Sequence, residues 1–126
     1  MIEANTMLDI SNMQILPAIE RYVMDVTKAA LAKKELEPDL ACAYEMNIIR
    51  KLSTLTDIIA EKTEDLKNAI LDLDDTKEIG EQSMEIKDKI ISGMDALRKV
   101  CDEAEILTAK DYWPFPKYGD LLFGVR

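Results

Sequence analysis

The chain has 126 residues, 48% of them hydrophobic and 33% charged, with four Gly, four Pro and a net charge of −9. That is the profile of one helical domain able to bury a core, not of a disordered segment. The excess of acid, with no Lys/Arg cluster to offset it locally, argues against nucleic-acid binding and against attachment to anionic membranes. No apolar run approaches the length of a membrane span and no basic start precedes an apolar core, so the expected location is cytoplasmic.

From Glu3 to about Lys34, apolar residues recur at Met7, Ile10, Met13, Leu16, Ile19, Val23, Val26 and Ala30, steps of three and four that trace one face of a first helix. Pro17 interrupts it by removing one backbone hydrogen bond and crowding the carbonyl four residues earlier. The sequence therefore predicts either a kink near Met13 or a helix that begins at Leu16. Lys33 and Lys34 suit the carboxyl end of a helix dipole. Glu35 to Asp39 reads as a connection, with Pro38 and Asp39 opening a second helix from Leu40.

The second helix carries Tyr44, Ile48 and then the alternation Leu52, Leu55, Ile59, Lys62, Leu66, Ala69, Leu73, a heptad seam with Lys62 as its polar member. Asp72, Asp74 and Asp75 end that rhythm, and Asp75 or Thr76 followed by Glu78 reads as a new helix start. The run lacks the ligand spacing and central Gly of a calcium-binding loop. The third helix then carries Ile79, Ser83, Ile86, Ile90, Met94, Leu97, Cys101, Ala104 and Leu107. Its interior Gly80 and Gly93 each cost ~1 kcal/mol of helix propensity relative to Ala, and Gly93 marks a possible close crossing. Glu85 with Lys89, and Asp95 with Lys99, are favourably ordered pairs on its exposed side.

Three long helices with short connections give an all-α fold, an antiparallel bundle over residues 1–110. Residues 111–126 are different in kind. Five of the seven aromatic residues lie there, and Pro114 and Pro116 push Trp113 and Phe115 toward extended backbone. We expect an extended aromatic C-terminal strap, packed on the bundle as part of the same domain. Its contacts are Tyr112, Trp113, Phe115 and Tyr118, then Leu122 and Phe123 after a turn at Lys117 to Asp120. The two cysteines read as reduced, small and buried: with helices two and three joined near Asp74, Cys42 lies level with Leu107, ~9 Å along the axis from Cys101.

The chain contains no histidine. That removes Ser-His and Cys-His catalysis, His-containing zinc sites and the Glu-x-x-His pairs of di-iron bundles together. The glycines stand singly, so no phosphate-cradling loop exists. Asp57 and Glu61 share a helical face, but two acids one turn apart read as a solvated surface. On residues alone this is a structural or interaction domain, with no catalytic, cofactor-binding or metal residue. A free-standing acidic helical adaptor, binding a protein through its seam or its strap, is the alternative. A small carboxylate-based metal enzyme is a third reading.

Both ends carry a family likeness. Glu3-Ala4, Thr6-Met7, Asp9, Gln14-Ile15 and Pro17-Ala18, with Tyr112-Trp113-Pro114-Phe115-Pro116 and Tyr118-Gly119-Asp120-Leu121-Leu122-Phe123, resemble the C-terminal domain of type III glutamine synthetase. The tail is the specific part; residues 32–109 match in helical character. The resemblance implies that the chain is the last portion of a larger cytoplasmic enzyme that makes glutamine from glutamate, ammonia and ATP. In such an enzyme magnesium is held by Glu and His residues of an upstream catalytic β-sheet domain. Those positions are absent here, so the resemblance assigns this chain no active-site, ATP or metal residue and implies that it is inactive alone. Its implied partners are the upstream catalytic domain and other subunits of a ring-stacked assembly. Its implied role is structural, with the tail aromatics as anchors.

Overall fold

The computed structural model describes residues 2–76 and 83–115. Helix α1 (Ile2–Ile10) passes without a break through a π-helical turn (Ser11–Ile15) into α2 (Leu16–Leu36), and α3 (Ala43–Thr76) and α4 (Ser83–Leu107) complete the bundle. The described residues contain no strand.

The first helix runs from Ile2 and is not started by Pro17. The turn before it widens, so that the Leu16 N–H bonds the Ser11 carbonyl, five residues back. The wider turn also rephases the buried face. At ~100° per residue, the 26 steps from Ala4 to Ala30 overshoot whole turns by ~80°, and one extra residue in a turn takes most of that back. The face accordingly runs through Ala4, Ser11, Ile15, Ala18, Ile19 and Ala30. Met13, expected on that face, is 74% exposed, and the polar Ser11 is buried in its stead.

Two boundaries also differ from expectation. Pro38 and Asp39 sit in a turn, closed by the Leu40 N–H on the Glu37 carbonyl, so α3 begins at Ala43 and not at Leu40. At its far end α3 runs on through the aspartate cluster to Thr76. The connection expected there falls on residues 77–82, outside those described, as does Ile79.

Helix α3 is the central element, packed against α2 on one side and α4 on the other. The antiparallel register is visible in its contacts: Ala30 meets Cys42, Lys33 meets Glu45, and Ser11 meets Thr63. On the other side Leu66 faces Gly93. The expected seam is the core: Leu52, Ile59, Leu66, Ala69 and Leu73 are buried, with Leu55 and Lys62 half-buried between them. Ile90, Leu97, Cys101 and Ala104 answer from α4. Each fully buried Ile or Leu contributes ~1.5–3 kcal/mol relative to exposure. Tyr44, placed by its spacing among the apolar residues of the second helix ahead of the seam, is 73% exposed.

Both cysteines are buried free thiols. The register separates them further than sequence suggested: with Leu66 opposite Gly93, Cys101 lies level with about residue 58, some 16 residues or ~24 Å from Cys42 along α3.

Candidate functional site

Among the described residues a concavity of about 600 Å³ lies between α1 and α4. Its floor is apolar, built by Met7 and Ile10 of α1 and by Met94, Leu97 and Cys101 of α4. Ser11 and Ile15 of the π turn line one end, so the same widened turn that rephases the core also shapes this groove. Trp113 and Phe115 form a wall, each half-buried and packed against the core. Carboxylates of Glu3, Asp102 and Glu105 stand along the groove; Arg98 lies among them with its guanidinium 3.1 Å from Asp95. Asp95 thus pairs three residues on, with Arg98, not with the Lys99 that its spacing suggested.

The chain reaches this wall through two overlapping turns. Tyr112 N–H bonds the Ala109 carbonyl at 3.0 Å and Trp113 N–H the Lys110 carbonyl at 3.2 Å. Thr108 is buried at the start of this reversal, its hydroxyl donating to the Ala104 carbonyl. Tyr112 then crosses to α2. Its hydroxyl donates to Asp25 Oδ2 at 2.6 Å, and its ring lies 5.0 Å from that of Tyr22, tilted by 52°. The hydrogen bond to Asp25 holds the Tyr112 phenol above its ordinary pKa, with burial adding to it. Burial raises that of Tyr22, with the Tyr44 phenol second.

Of the six residues expected to make contacts from the tail, three are described. Tyr112, Trp113 and Phe115 are half-buried against the bundle. Tyr118, Leu122 and Phe123 lie outside the described residues. Partners that the sequence reading missed are Tyr22 and Asp25, 87 residues from Tyr112 in the latter case. No local signal marks them. Also missed was the Lys33–Glu45 ion pair, which clamps the end of α2 to the first turn of α3; Glu45 is buried. The Lys33 hydrogen bond holds the Glu45 carboxyl below its ordinary pKa, and the same bond holds the Lys33 ammonium above its own.

The chemistry available here is that of contact. Cys101, the groove's one thiol, is pushed up to about 11 by burial and by Asp102 beside it, so it stays protonated and unreactive near neutral pH. Among the described residues no group of three or more Cys, Asp or Glu side chains is arranged to hold a metal ion. Nor does any buried side-chain nitrogen or oxygen among them lack a hydrogen-bond partner. Asp57 and Glu61 are both exposed. No helix among the described residues is long and apolar enough to cross a membrane.

The fold and its groove thus define a helical bundle closed by its own aromatic turn. In sequence the chain is distantly related to a glutamine synthetase from Butyrivibrio fibrisolvens, 29% identical over 129 residues. That similarity takes in 99% of this chain and 18% of the relative, so the chain spans about a fifth of the relative's length. No family model matches the chain, and no solved structure matches it.

Proposed function

We propose that this chain is the helical C-terminal domain of a type III glutamine synthetase, serving assembly and not chemistry. One observation carries the reading: a match that covers nearly all of this chain and a small share of a much longer enzyme. The likeness of the tail, Tyr112 to Phe123, to the end of type III enzymes supports it. In the longer protein, glutamate, ammonia and ATP would be turned into glutamine by an upstream catalytic domain using magnesium. Among the described residues no group of three or more Cys, Asp or Glu side chains is placed to hold a metal ion. The partners of this domain are that catalytic domain and neighbouring subunits. In this reading residues 1–110 are the bundle and 111–126 the strap that anchors it, with Tyr112, Trp113 and Phe115 as its first contacts.

A cytoplasmic adaptor that works as a free polypeptide is the second reading. It is favoured by the apolar residues exposed on the outer face of α2, Met24 at 54% and Leu31 at 65%, one heptad apart. The same stripe would serve the first reading as the face that seats on the catalytic body. An antibody against this chain separates the two. In a native extract, the synthetase reading expects a band several times heavier than 14.3 kDa that co-purifies with ATP-dependent glutamine formation, while the purified chain alone forms none. A single band near the chain's own mass, or glutamine formation by the chain alone, refutes it.

A further inference from the structure

We propose that the groove between α1 and α4 is a binding site for a small organic cation, an amine carried on an apolar chain or ring. The inference does not rest on the glutamine synthetase reading, because it uses only the lining of the groove.

Size and lining set the class of ligand. A concavity of about 600 Å³ falls within the range of small-molecule sites, roughly 300–1,000 Å³, which are mostly apolar with a few polar groups that orient the ligand. Met7 and Ile10 of α1 and Met94 and Leu97 of α4 supply the apolar surface. The two methionines are unbranched and adapt to an irregular body. Trp113 and Phe115 add two rings, beside which a cation is favoured over an anion or a neutral head.

Charge then selects the head group. Asp102 and Glu105 are three residues apart, so they share one face of α4, the face that lines the groove. Glu105 sits in the last turn of that helix, which holds no basic residue, and Asp102 lies just before it. The helix dipole has its negative end there, so the acids and the helix terminus repel one another and together attract a cation. Glu3, on α1, adds a third carboxylate along the groove. The groups that would favour an anion are engaged: Arg98 by Asp95 at 3.1 Å, and the Ser11 hydroxyl by Thr63 at 2.8 Å.

The test is titration of the whole chain at neutral pH with three compounds of one shape: phenylbutylamine, phenylbutyrate and phenylbutanol. Binding is read from the fluorescence of Trp113, the chain's one tryptophan, and from the methyl signals of its methionines. The expected result is a saturable change with the amine, at a Kd at least about fivefold below that of either counterpart. The Met7 and Met94 methyls should shift, and that of Met24, on the outer face of α2, should not. Asp102→Asn/Glu105→Gln should weaken the amine by at least about fivefold. Asp57→Asn/Glu61→Gln removes the same charge from an exposed face of α3 and should leave its Kd within about twofold. Equal binding of the three compounds, or none by the amine, would overturn the proposal. So would equal losses in the two variants, which would mean attraction to the net charge of −9 alone, or methyl shifts that spare Met7 and Met94.

Discussion

The most discriminating perturbation is at the buried contact between Ser11 and Thr63, where the π turn meets α3. The two hydroxyl oxygens are 2.8 Å apart, and the residues are 1% and 4% exposed. Each hydroxyl has one proton. Thr63 spends its own on the Ile59 carbonyl at 2.7 Å, so Ser11 is the donor and Thr63 the acceptor between them. The two single substitutions are therefore unequal. Thr63→Val keeps the shape but leaves the buried Ser11 proton without an acceptor, at a cost of ~1–3 kcal/mol. Ser11→Ala leaves Thr63 bonded to Ile59 and costs ~0.5–1.5 kcal/mol. With both hydroxyls gone nothing is left unpaired, so the double variant should be less destabilised than the sum by about 1 kcal/mol. Urea unfolding at 25 °C, with a common slope, measures all four corners; each kcal/mol is worth ~3–5 °C in Tm for a domain of this size. Additive costs within 0.3 kcal/mol, or Ser11→Ala costing more than Thr63→Val, would refute the donor assignment and with it the claim that the π turn aims Ser11 at α3.

Two further predictions concern the helices and their clamp. Gly93→Ala should stabilise by ~0.5–1 kcal/mol, because the added methyl would meet Leu66 Cδ1 at 3.5 Å, an ordinary contact; a fall in the urea midpoint would mean that α3 and α4 cross too closely for it. Glu45 lies below its ordinary 4.5 when folded, through its hydrogen bond to Lys33 first. Its stabilisation is therefore fully present above 4.5 and lost as pH falls through the folded value. Lys33, raised from 10.5, contributes fully below that value and is lost above it. The Tm difference between wild type and Glu45→Gln should thus be flat at neutral pH and shrink in acid below 4.5; a difference unchanged down to pH 3 would remove the clamp from the stability of the fold.

The sequence by itself determined the helices and, for the second and third of them, most of the inward face. The alternation from Leu52 to Leu73 and that from Ile86 to Leu107 are legible because a helix repeats every 3.6 residues, and burial of one face is the dominant local constraint. The absence of histidine decided against several kinds of catalysis for a reason equally local: a missing side chain cannot be supplied by folding. What the sequence left undetermined is what depends on two distant segments at once. Pro17 announced a disturbance, but whether it became a kink, a start or a π turn was decided by the need to present Ala4, Ile15 and Ile19 to the same core. Tyr112 announced an aromatic contact, but its partners, Tyr22 and Asp25, were set by the height at which α4 ends beside α2. The groove under Trp113 and Phe115 belongs to no single segment. It exists because a reversal after Leu107 returns two rings to helices whose own spacing leaves room between them, and only the packed structure brings those surfaces together.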